Sequence, residues 1–154
     1  TALHRRTLYT FWKRTSPPAS MAAFDAPTRE QCTVRRERTN TPLQALVLMN
    51  DTQYVEAARG LAQQVVAQAG SDGDRAAWLF RRALVRPPGG ADVQELVESF
   101  AEFRKHFESD QAAAGRLIGI GDSKVPSGRD PVSLAAWTMV ANLVMNRDDF
   151  LNVE

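Results

Sequence analysis

The stretch TPLQALVLMNDTQYVEAARGLAQQVV, residues 41–66, decides the fold. Thr41 is a capping residue type, and Pro42 suits a first helical position, where its missing N–H would be unpaired anyway. Gln44 stands three residues after the cap, where its side chain can reach back to the Thr41 backbone. Leu43, Leu46, Val47 and Met49 form a short apolar segment that Asn50 and Asp51 interrupt. Asn50, with Gln53 three residues on, is the expected cap of a second helix. The apolar stripe of that helix is Tyr54, Val55, Ala58, Leu61, Ala62, Val65 and Val66, which follows the 3.6-residue period, and Gly70 is its expected end.

Outward from this stretch the same grammar recurs. Ser71 and Asp74 open a helix that buries Ala76, Leu79, Phe80, Ala83 and Leu84, and RPPGG stops it. Asp92 and Glu95 open the next, with Val93, Leu96, Val97, Phe100, Phe103 and Phe107 on one face. LIGIGDSKVPSGRD, with three glycines and Pro126, reads as an exposed loop. Asp130 and Pro131 then start a final helix. Between Val132 and Met145 only Ser133, Thr138 and Asn142 are polar, which places that helix at the centre of a bundle. Thr138 and Asn142 share a face and are expected to hydrogen-bond to each other or to nearby backbone. The expected fold is mainly α: a four- or five-helix, bundle-like body over residues 41–154.

Residues 1–40 show no sustained period. Pro17, Pro18 and Pro27 exclude a long helix there. The expectation is an irregular arm, anchored on the body by Phe11, Trp12, Met21 and Phe24. Charge divides along the same line. The arm carries eight Lys or Arg against three Asp or Glu, and the body eleven against fifteen, within a net charge of +1.

At 154 residues and 44% hydrophobic, the chain has the size and composition of one globular domain. Such a chain buries roughly 70% of its unfolded surface and needs no staples. The single cysteine, Cys32, excludes an internal disulfide and a cysteine-rich metal site, and its ordinary fate is a buried thiol. No apolar run is long enough to span a membrane. The opening TALHRRTLYTFWKR has no initiator methionine and no signal-peptide architecture, so the chain reads as a piece of a longer protein.

Catalytic patterns are weak. His4 and His106 lack metal-ligand partners, and His106 reads as a surface histidine. GIGDSK lacks the full spacing of a phosphate loop. The phenylalanine stripe, Trp12, Trp78 and Trp137 default to core, with a hydrogen-bond partner expected for each indole N–H. The functional candidates are Arg35, Arg36 and Arg38, joined by Arg5 and Arg6. The planar guanidinium fork suits either an anionic ligand or a clasp between arm and body, and the complementary charges favour the clasp. Thr41 and Gln44 are structural cap residues. No residue is assigned to a metal or to catalysis, and nucleic acid is disfavoured for want of a recognition-helix or aromatic-interleaved pattern.

Three segments carry a family resemblance: LYTFWKRT with Pro17 and Pro18, FDAP at 24–27, and CTVRRERTNTPLQAL at 32–46. They resemble the C-terminal domain of unknown function of large planctomycete-type, cytochrome c-containing envelope proteins. The resemblance continues more generically through DPVSLAAWTMVANLVMNRDDFL. It implies an exported, periplasmic or envelope-associated parent protein whose haem c lies in an upstream domain, since this chain has no C-x-x-C-H motif. It also implies a non-catalytic accessory domain that docks on the upstream domains. The alternatives are a module that binds anionic, sulfated polysaccharide through its arginines, or part of a composite polysaccharide-degrading site.

Overall fold

A computed structural model describes residues 10–13, 15–35, 39–125 and 128–151. In chain order the helices are α1 (Ala19–Ala23), α2 (Pro42–Asn50), α3 (Thr52–Val66), α4 (Asp72–Leu84), α5 (Gly90–Ser109), α6 (Gln111–Ile118), α7 (Pro131–Met145) and α8 (Asp148–Leu151). The fold is mainly α. Among the described residues the only extended pairing is a single bridge between Lys13 and Ser16.

The core forms around α7. Eleven of its fifteen residues are buried, and it packs most extensively on α3, α5 and α6. Small residues make the closest of these contacts possible: Ala58 and Ala62 of α3, Ala114 of α6, and Ala135, Ala136 and Ala141 of α7 are all fully enclosed. Larger groups fill the remaining space. Phe100 of α5 stacks on Trp137 of α7 with ring centroids 4.4 Å apart. Thr138 Oγ1 donates to the Leu134 carbonyl at 2.7 Å, and Asn142 Nδ2 donates across to the Leu48 carbonyl at 2.9 Å. Both buried polar residues of the central helix thus bond to backbone, and Asn142 ties α2 to the core.

Capping side chains set the helix starts. Thr41 Oγ1 accepts from the Gln44 N–H at 3.3 Å, and Gln44 Oε1 accepts from the Thr41 N–H at 3.2 Å. Ser71 and Asp74 form the same reciprocal pair, and Asp130 accepts from the Val132 and Ser133 N–H groups. At α5 the Asp92 carboxylate receives the Gly89 N–H, one turn earlier than the expected start.

Several expectations need correction. Asp51, not Asn50, caps α3. Its carboxylate takes the Gln53 N–H at 2.8 Å, while Asn50 remains the last residue of α2 and bonds back to the Leu46 carbonyl. The Asp side chain carries a full charge at the helix N-terminus, where it is favoured over the neutral amide of Asn. Helix α3 ends at Val66 rather than Gly70. Helix α6 was not expected at all. Trp137 is fully buried yet its indole Nε1 has no partner among the described residues, and Trp78 is only half-buried.

Candidate functional site

Two polar assemblies join the irregular segments to the helices. The first grows from the start of α2. Besides capping, Gln44 turns its Nε2 outward to Thr39 Oγ1 at 3.0 Å and to Asp25 Oδ2 at 3.5 Å. The Asp25 carboxylate also accepts the Thr39 N–H at 2.9 Å and its hydroxyl at 2.7 Å. Next along the chain, Asn40 Nδ2 reaches Asp148 of α8 at 2.9 Å. The arm is therefore tied to the body through hydrogen bonds centred on a buried Gln44.

The second assembly was not legible in the sequence. Glu56 and Arg59 lie one turn apart on α3, 3% and 1% exposed, 3.5 Å from each other. They grip the loop after α6. Glu56 accepts the backbone N–H groups of Asp122 at 3.2 Å and Ser123 at 2.7 Å. Arg59 donates to the carbonyls of Ile118 and Ser123 and to the Ser123 hydroxyl. The phosphate-loop-like run GIGDSK thus turns two of its N–H groups onto an internal carboxylate. Gly121, at φ +97, lies against Glu56 so closely that a Cβ would strike the carboxylate. Four backbone groups satisfied at once give a buried ion pair the additional hydrogen bonds it requires.

Between the arm and the first turn of α3 lies a cavity of about 360 Å³. Trp12, Met21 and Phe24 supply apolar wall from the arm, and Gln53 and Tyr54 come from α3. Phe24 packs on the Tyr54 ring at 5.8 Å, and the Arg29 guanidinium lies 5.0 Å above Trp12. Two residues bordering this region hold left-handed backbone, Asp25 at φ 55 and Arg29 at φ 64. Such conformations persist only where surrounding contacts enforce them. Burial, then the charge of Asp51, raises the Tyr54 phenol above its ordinary pKa, so it stays protonated at neutral pH.

The arginine cluster divides differently. Arg35 is exposed and its side chain makes no ion pair or hydrogen bond with a described residue. Arg5, Arg6, Arg36 and Arg38 lie outside the described residues. Cys32 is exposed, not buried, because the segment around it runs over the surface. Phe11 is 84% exposed and so is not anchored on the body, whereas Trp12, Met21 and Phe24 are half-buried. His106 is on the surface. Among the described residues no group of three or more His, Cys, Asp and Glu side chains could hold a metal ion, and no helix is long and apolar enough to cross a membrane.

These features define a mainly α domain with an arm bonded onto the start of its second helix. The chain belongs to the PSD1 family of proteins of unknown function (DUF1553), whose family model matches residues 1–100. No curated protein and no solved structure matches it significantly.

Proposed function

We propose that the chain is a non-catalytic accessory domain that docks against other domains of an exported, cytochrome c-containing parent protein. The observation that carries this reading is the outer face of α2. Leu43, Leu46 and Met49 are each about half exposed on it, while Leu48 of the same helix is buried. A two-turn helix that is apolar on both sides belongs between two bodies, and only one is present among the described residues. The resemblance carried by the arm and by the α2 start supports an upstream domain as the other. To test this, the chain is mixed with the remainder of its natural parent. Association is expected, with loss in a Leu43→Glu/Leu46→Glu variant; failure to associate counts against docking.

A second reading is binding of anionic polysaccharide, supported by exposed Arg35, which has no acidic partner among the described residues. Retention on heparin that weakens with salt and drops in Arg35→Ala would support it, because such contacts are screened. Absence of retention at low salt removes it.

A further inference from the structure

Three regions leave chemistry unused: the outer face of α2, the Glu56–Arg59 grip, and the cavity beneath the arm. The first is accounted for by docking, and the second is engaged in its own hydrogen bonds, with Arg59 Nε the one atom of the pair that lacks a partner among the described residues. The cavity remains. Its lining includes four polar side chains, Ser20, Arg29, Gln53 and Tyr54. None of the four makes a side-chain hydrogen bond or ion pair to a described residue, although almost every other polar side chain around the arm junction is engaged. The same walls present three aromatic rings, Trp12, Phe24 and Tyr54.

We propose that this cavity binds a ring-shaped small ligand carrying one oxyanion, a carboxylate or sulfate. The argument begins with Arg29. Its guanidinium carbon lies 5.0 Å over the Trp12 ring, and its N–H donors bond to no described residue, so they are available to receive a planar oxyanion in bidentate fashion. The left-handed backbone at Arg29 is an uncommon conformation for a residue with a side chain, and it holds the guanidinium at this rim. Tyr54 adds a neutral O–H donor, kept protonated by burial and by Asp51. Gln53 and Ser20 offer both donors and acceptors, which suits hydroxyl groups on a ring. The aromatic walls favour the flat apolar face of the same ring. A volume of about 360 Å³ falls at the small end of ligand pockets and fits one or two rings.

Charge places the ligand within the cavity. Asp51 lies near Tyr54 and is engaged in capping α3, so an oxyanion is repelled from that end. The anion therefore faces Arg29, and the ring body lies inward against the packed Phe24 and Tyr54 rings. This site is separate from the docking face of α2 and does not depend on it.

The test is calorimetric titration of the chain with galacturonate, glucose 6-sulfate, benzoate and neutral galactose. At least one anionic probe is expected to bind at about 10 mM or below. Arg29→Gln is expected to weaken that binding about tenfold, as loss of a charged hydrogen bond does. Arg29 is exposed, so this variant keeps the fold, and Arg104→Gln on the surface of α5 serves as the matched control with unchanged affinity. Tyr54→Phe, which removes only the hydroxyl, is expected to weaken binding further. Saccharide anions binding in preference to benzoate assign the ligand to acidic sugars, and the reverse assigns it to aromatic acids. Either result supports the proposal. No binding by any anionic probe, equal binding of neutral galactose, or affinity unchanged in Arg29→Gln overturns it.

Discussion

Glu56 and Arg59 face each other at 3.5 Å inside the protein and together hold the loop at residues 118–123 against α3. Their stabilising effect depends on both being present. Taking Arg59 to Ala removes the cation facing the buried Glu56 carboxylate and leaves the Ile118 and Ser123 carbonyls without their present donor. Removing one partner of a buried pair typically costs about 3–5 kcal/mol. Urea unfolding of Arg59→Ala should show a loss of this order. A loss under about 1 kcal/mol, the scale of an exposed pair, contradicts the buried geometry.

Gly121 and Gly60 should respond oppositely to the same substitution. Gly121→Ala must accept a disfavoured φ and displace the Glu56 carboxylate, so a loss of roughly 2 kcal/mol or more is expected. Gly60 lies inside α3 with nothing near the position a Cβ would take. Gly60→Ala should therefore gain about 0.5–1 kcal/mol from helix propensity. Thermal unfolding of the two variants side by side is the check, and a common sign for both would contradict it.

Gln44 has more to lose than Thr41. Thr41→Ala removes one cap bond and should cost about 1 kcal/mol. Gln44→Ala removes the return bond of the cap and the links to Thr39 and Asp25, and empties a buried site. The arm should then loosen. Trypsin cleavage at Arg29 and Arg35 is expected to accelerate in Gln44→Ala well beyond Thr41→Ala, and equal rates would show that Gln44 does not fasten the arm.

Acid should expose two stabilised carboxylates. The hydrogen bond from Ser71 holds Asp74 below its ordinary value of 3.8, and the hydrogen bond from Arg86 does the same for Asp149. Because the folded-state value is the lower one, the stabilisation is present above pH 3.8 and is lost as pH falls through the folded value. Melting temperature should drop below about pH 4. Asp149→Asn should show a shallower drop, having one fewer proton linked to unfolding; an unchanged slope argues against the Arg86 contact.

The sequence made the helix starts readable because their signals are local. Thr41-Pro42-x-Gln44, Ser71-x-x-Asp74 and Asp130-Pro131 each act within one turn, and the structure contains all three caps. The central position of α7 was equally plain from its composition. What stayed hidden depends on distant neighbours. Glu56 and Arg59 carry no local sign of burial, because the loop that covers them lies more than sixty residues later. The signal available was an acid and a base one turn apart beside Ala58 and Ala62, small residues that allow close approach. Helix α6 was lost because Gly115 and its alanine run carry little periodic contrast and merge with the glycine-rich loop. The cavity is equally non-local, since Trp12, Arg29 and Tyr54 belong to three segments with no shared period.

The account rests on α2 as the surface between this domain and the rest of its parent. Carbene footprinting of Leu43, Leu46 and Met49, in the isolated chain and in the full-length natural protein, measures that most directly. The account predicts strong labelling of all three in the isolated chain and several-fold protection in the full-length protein, while the exposed Val85, remote in sequence from α2, labels equally in both. Equal labelling of the α2 residues in the two proteins would contradict it.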